Sequence, residues 1–144
     1  PKSILLKKAV HYYKSKYYYN NGVISKIENL NNNEIEDYSE YVFDNNGNVV
    51  NIKYYYDTDE FGNFDTSVYD ETIIEYDDKY SHLYNSNQPF IYDLTHVNNP
   101  TKFTTIIYNE EPEIETYSYE YNDKDFPTKI VLEGEYFEIE YIEK

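Results

Sequence analysis

The 144 residues of this chain predict an all-β protein: an antiparallel up-and-down meander of about ten strands, as a curled sheet or a soluble barrel. Three observations predict it. Apolar and aromatic residues alternate with polar ones in run after run, the period of a half-buried strand with one face to a core and one to water. A phrase, aromatic–x–aromatic–(Asp/Asn)–turn–x–Ile, recurs along the chain. Tyr41 through Asp44 and Gly47 to Ile52 aligns without a gap on Tyr119 through Asn122 and Asp125 to Ile130, and a slightly shorter copy runs from Tyr17 through Asn20 and Gly22 to Ile27. Finally, no segment carries a convincing helical stripe.

Taken in order, the predicted strands cover 4–13, 15–20, 23–29, 35–43, 49–57, 66–77, 102–109, 113–122, 128–133 and 135–142. The turns between them are written in Asn, Asp and Gly: Asn20-Asn21-Gly22, Asn31-Asn32-Asn33, Asp44 to Gly47, Asp123-Lys124-Asp125 and Glu133-Gly134. These residues tolerate the positive φ that tight turns require. Within 66–77, Val68, Thr72, Ile74 and Tyr76 fall opposite Tyr69, Glu71, Ile73 and Glu75. Within 113–122, Tyr117, Tyr119 and Tyr121 share one face. In 135–142, Phe137, Ile139 and Tyr141 alternate with Tyr136, Glu138 and Glu140. The stretch from Asp77 to Pro100 breaks the pattern with two prolines and several asparagines. It reads as one long irregular connection, with a short helical turn near Gln88 to Leu94. Connections of this length are often functional; the competing reading is a crossing segment packed by Phe90, Ile91 and Leu94. The whole, 1–144, reads as a single domain.

Composition narrows the function classes. Tyr accounts for 21 residues, and Trp, Met and Cys are absent. A core must therefore use Ile, Val, Leu and Phe, with tyrosine bodies buried and hydroxyls near the surface. The net charge is −16, from 28 acidic and 12 basic residues. All the basic residues are lysines, so the bidentate phosphate reader is missing. Nucleic-acid binding by charge neutralisation is excluded on this balance, and adhesion to an anionic membrane surface is poorly served. Without cysteine there is no disulfide framework and no thiol chemistry. No apolar run approaches the ~20 residues of a membrane-spanning helix. A chain opening at Pro1 without Met reads as a processed product whose targeting segment has been removed.

The segment Tyr117-Ser118-Tyr119-Glu120-Tyr121-Asn122-Asp123-Lys124-Asp125-Phe126-Pro127-Thr128-Lys129-Ile130 carries a family resemblance. So do Glu75-Tyr76-Asp77-Asp78-Lys79 and the hairpin from Tyr41 to Ile52. Together they resemble the lipoproteins of the Bacteroidetes cell envelope grouped as domain of unknown function 4595, described as β-rich and porin-like. They also echo the tyrosine-aspartate repeats of large secreted bacterial proteins. The chain departs from the family phrase at Asp125, where Gly is commoner, and over Lys79 to Asn87, where Pro is expected early. The resemblance implies export, a lipid anchor as the sole tie to the membrane, a place in the periplasm or at the outer-membrane surface, and no catalytic residues. A lipid-facing barrel is disfavoured by the sequence itself. Alternate positions carry Glu71 and Glu75, or Glu138 and Glu140, where an apolar band is required.

Four candidate sites emerge. Tyr17 and Tyr19 share one face of their strand, as do Tyr54 and Tyr56. Tyrosine rings stack on the apolar faces of sugars while neighbouring Asp, Asn and Glu accept hydroxyl hydrogen bonds. The competing reading is cross-strand aromatic pairing, with no ligand. His82 and His96 share the irregular segment and could meet Asp77, Asp78 or Asp93; with His11 they show no metal-ligand spacing, and isolated surface histidines are the competing reading. Asp57, Asp59 and Asp65 with Gly62 resemble the front of a calcium loop. Phe61 and Val68 stand where oxygen ligands belong, so an EF-hand is rejected and a weak cation site remains. Paired carboxylates for glycoside hydrolysis are numerous, yet no pair stands out. No cofactor is implied.

The expectation is a non-enzymatic secreted or lipid-anchored envelope protein with a glycan or protein ligand on a tyrosine-rich sheet face. The alternatives are an acidic immunity- or inhibitor-type protein for a basic partner and, third, a glycosidase.

Overall fold

The computed structural model describes residues 12–58, 63–81 and 97–141. Nine strands are present among them: β1 (Tyr13–Asn20), β2 (Val23–Asn31), β3 (Glu34–Phe43), β4 (Val49–Tyr55), β5 (Asp70–Tyr80), β6 (Asn98–Ile106), β7 (Glu113–Tyr121), β8 (Pro127–Leu132) and β9 (Glu135–Glu138). They form one sheet in sequence order, every neighbouring pair antiparallel. The meander is as the alternation predicts. The strand predicted over 4–13 falls almost wholly outside the described residues. Among the described residues the sheet does not close into a barrel: β1 and β9 each pair there on one side only. β9 is four residues long, wholly exposed and bounded by Glu135 and Glu138, the short charged form that edge strands take.

The repeated phrase folds twice into the same turn. At the first, the backbone N–H groups of Asn46 and Asn48 both donate to Asp44 Oδ1, at 2.8 Å. At the second, Lys124 and Phe126 donate to Asn122 Oδ1, both at 3.0 Å. Gly47 and Asp125 occupy the same left-handed position, with φ of 92° and 62°. Just beyond, Phe43 pairs with Val49 and Tyr121 with Pro127, each after a register shift.

A third copy lies where the sequence reads as irregular. Lys79 and Asn99 donate their backbone N–H groups to Asp77 Oδ1 at 2.9 and 3.2 Å, and Tyr76 pairs with Pro100 beside a register shift. Asp77, Asn99 and Pro100 thus stand where Asp44, Asn48 and Val49 stand. The predicted irregular stretch is corrected at both ends: β5 runs on to Tyr80 and β6 begins at Asn98. The helical turn expected near 88–94 lies outside the described residues. The physical reason for the misreading is that the turn's two halves are separated by a long insertion, while the carboxylate that nucleates it is unchanged.

Each of these hairpins is tied to the strand that follows. The Tyr76 hydroxyl donates to Val49 O at 2.7 Å, Tyr119 to Pro100 O at 2.7 Å and Tyr141 to Pro127 O at 2.8 Å. The same carbonyl, just past the turn, is satisfied each time by a tyrosine from the next unit. Sequence reading expects tyrosine hydroxyls near the surface; these three instead bond backbone carbonyls beside the register shifts.

The sheet is a single layer, and its core is split between its two faces. Side chains alternate, so the register places Lys14, Lys16, Lys26, Lys53, Lys102 and Lys129 on one face, hereafter the lysine face. There, over β3 and β4, buried Tyr38 and Tyr55 stack at 4.5 Å. Phe64 and Tyr69, from the connection between β4 and β5, pack edge-on to Tyr38 and tilted against Tyr55. On the other face Ile74 is buried, directly opposite Phe103, whose ring meets Tyr117 edge-on at 5.6 Å. The expectation of one core face and one wet face therefore holds only locally.

A tyrosine face as candidate binding surface

Cross-strand register brings the candidate tyrosines together. Tyr17, Ile27, Ser39, Tyr54 and Asp70 are successive direct partners across β1 to β5, so they form one row on the face opposite the lysines. Tyr19 follows Tyr17 on that face, and Tyr41 follows Ser39, beside Ile52. Tyr56, just past β4, tilts against Tyr54 at 5.5 Å and donates its hydroxyl to Asp70 Oδ1 at 3.1 Å. Tyr17 and Tyr19 are 52% and 64% exposed, Tyr54 and Tyr56 37% and 40%. Tyr18 and Tyr55, between them in sequence, point to the lysine face. The Tyr18 hydroxyl donates to Glu28 at 2.7 Å.

Polar groups edge this surface. Ser15 Oγ donates to Asn29 Oδ1 at 2.9 Å, and Asn29 Nδ2 donates to Asp37 Oδ1 at 2.7 Å, in the row beside Tyr17 and Tyr54. Burial raises the Tyr54 hydroxyl above its ordinary pKa, helped by the charge and hydrogen bond of Asp37 and the charges of Glu36 and Asp70. Tyr41 is raised chiefly by burial, with Tyr17 and Asp37 adding to it. Tyr56 is raised by burial and by its bond to Asp70. These hydroxyls stay neutral, as donors, well above physiological pH.

Charge divides the two faces. On the lysine face, Lys16 and Lys26 pair with Glu28, Lys53 with Glu71, Lys102 with Glu75 and Lys129 with Glu120. Burial pushes the Glu28 carboxyl up, but the bonds from Tyr18 and Lys26 and the charges of Lys26 and Lys16 outweigh it and hold the group below its usual range. Lys129 stands between Glu120 and Glu138 in an open hollow of β7, β8 and β9 that Glu140 also lines, and it pairs with Glu120 at 2.9 Å. The tyrosine face over β1 to β4 carries no lysine.

The other candidates lie largely outside the described residues. Asp57 accepts the Asp65 N–H through its backbone oxygen, at 3.1 Å. The Asp65 carboxylate is spent on the N–H and hydroxyl of Ser67, at 2.9 and 2.6 Å, which lower its pKa. Asp59, His82 and His96, like His11, lie outside the described residues. Among the described residues no three His, Asp or Glu side chains gather as a metal site. Sequence reading misses Tyr41, Asn29, Asp37 and Asp70 as members of the surface. Alternation assigns faces within one strand, and only the register between strands joins them.

Compared with protein-family models, with curated proteins and with solved structures, the chain matches none.

Proposed function

We propose that this chain is a non-enzymatic protein of the bacterial cell envelope that binds a carbohydrate on its tyrosine face. The observation that carries the reading is the row Tyr17–Ile27–Ser39–Tyr54–Asp70, with Tyr19, Tyr41 and Tyr56 beside it, on a face that carries no lysine over β1 to β4. Exposed aromatic rings at strand spacing offer stacking surfaces, and Asn29, Asp37 and Asp70 offer hydroxyl partners at their margin. The envelope location and the lipid tether rest on the resemblance of the hairpin phrase to the domain of unknown function 4595.

The test is a panel of envelope and dietary polysaccharides, followed by titration of the bound members into protein labelled on its tyrosine rings. Ring shifts confined to Tyr17, Tyr19, Tyr41, Tyr54 and Tyr56 are expected. Binding by no member of the panel, or shifts only on the lysine face, overturns the reading. The −16 charge favours a second reading, an acidic inhibitor of a basic protein. A lipoprotein signal in the full gene would rule against it.

A further inference from the structure

Charge and spacing on the tyrosine face define the ligand more narrowly, granted that the face binds carbohydrate. We infer that the ligand is an uncharged polysaccharide lying across the strands and contacting several sugar units at once.

The charge argument starts from the lysines. Those of β1, β2 and β4 (Lys14, Lys16, Lys26 and Lys53) all project to the opposite face by register, and Lys16, Lys26 and Lys53 are engaged there by Glu28 and Glu71. The chain has no arginine. Among the described residues the charged side chains at the tyrosine rows are Asp37 and Asp70, with Glu36 close enough for its charge to act on Tyr54, all of them carboxylates. A uronate or sulfate brought onto this face meets acid with no counter-charge among the described residues, and such like-charge contact opposes binding. A neutral hydroxyl meets acceptors: the carboxylates of Asp37 and Asp70 each have more lone-pair sites than the bonds described above occupy.

The spacing argument uses the row. Tyr17 and Tyr54 are separated by two intervening strands, or three inter-strand steps, which is about 14 Å at the usual strand spacing. One sugar ring cannot bridge that distance. The rings between them are absent by sequence, since Ile27 and Ser39 occupy the middle of the row. Tyr41 stands one row over and completes a path between the two ends. A ligand using both ends must therefore be a chain.

The experiment is calorimetric titration of neutral β-glucan and mannan oligosaccharides, from one to six sugars, beside polygalacturonate and heparin fragments of matching length. Affinity is expected to rise steeply with length among the neutral ligands, with the monosaccharides and the acidic chains giving no heat. Tyr17→Ala and Tyr54→Ala are each expected to weaken the hexasaccharide roughly tenfold, the scale of one lost aromatic contact. Tyr136→Ala, on the lysine face, is expected to leave it unchanged, and circular dichroism shows whether each variant is folded. Acidic chains binding as well as neutral ones, still lost in Tyr54→Ala, would overturn this inference and leave the carbohydrate reading standing. Monosaccharides binding as tightly as hexasaccharides would do the same. A basic protein binding where no sugar does would overturn both.

Discussion

The turn from Asp44 to Asn48 and the connection from Asp77 to Asn99 share the same anchoring bonds at very different length. In both, one aspartate oxygen collects the N–H two residues on and the N–H of an asparagine at the start of the return, Asn48 or Asn99. In both, the next carbonyl is taken by a tyrosine of the following strand. The first closes in four residues; the second admits a long insertion between the same two anchors. Hairpin identity here belongs to the anchoring carboxylate and the tyrosine clasp, not to the loop. The shorter turn also leans on the longer one: the buried Asn48 accepts from the N–H groups of Val97 and Asn98, both at 2.9 Å, and donates to Asn98 Oδ1 at 2.8 Å.

The largest test of that equivalence is alkali, which removes the clasps together. Burial raises the hydroxyls of Tyr76, Tyr119 and Tyr141 above the ordinary tyrosine pKa of about 10. Tyr55 is pushed up to about 12 by burial and by the charge of Glu40. The folded state holds these protons more tightly than the unfolded chain. Their contribution is therefore complete below pH ~10; that of Tyr55 is lost as pH rises through about 12, and those of Tyr76 and Tyr119 at higher pH still. Circular dichroism and tyrosinate absorbance, followed together, should show the sheet lost as these groups ionise. A sheet that survives with every tyrosine ionised breaks the clasp model.

Next comes the anchor itself. Asp44→Ala strips the acceptor from two backbone N–H groups and from Asn48 Nδ2, inside a turn where Asn48 has no exposure. A loss of about 3 kcal/mol in urea denaturation is expected. Asp44→Asn keeps the Oδ1 acceptor, as Asn122 does naturally, and should cost less than half as much. Equal losses for the two variants would show that charge rather than turn geometry matters. Tyr119→Phe should cost about 1 kcal/mol by leaving Pro100 O without its donor. The smallest effect is at Asp125, whose φ of 62° suits glycine better. Asp125→Gly gives up an exposed ion pair with Lys79 at 3.2 Å and relieves that backbone, for a net gain of about 0.5 kcal/mol in the same denaturation assay.

Much of this was legible before any coordinates. Alternation marked the strands from Tyr17 onward, and Asn, Asp and Gly marked their turns. The phrase ending at Ile52 and the one ending at Ile130 correctly announced one shared turn. What hid the third copy was distance: Asp77 and Asn99 are brought together by β5 and β6, and a periodic reading stops at the insertion. The pairs Tyr17/Tyr19 and Tyr54/Tyr56 were each legible as sharing a face. That both pairs share the same face follows from three strand registers, which no single window of sequence contains. The splitting of the core was equally hidden. Phe64 reaches Tyr38 only because the connection after β4 folds onto the lysine face.

The strictly sequential strand order has a consequence for how the molecule comes apart. Each strand is held by the one before and the one after it, so stability is a sum of neighbour terms, as in a solenoid. Loss of β9 does not breach β3, and fraying should advance inward from both edges. Amide exchange would then read as a gradient, slowest in β4 to β6 and fastest at β1 and β9. Because most neighbouring strands are joined by tight turns, the chain should also fold quickly for an all-β protein of its size, with the β5–β6 pair, split by its insertion, the slow step.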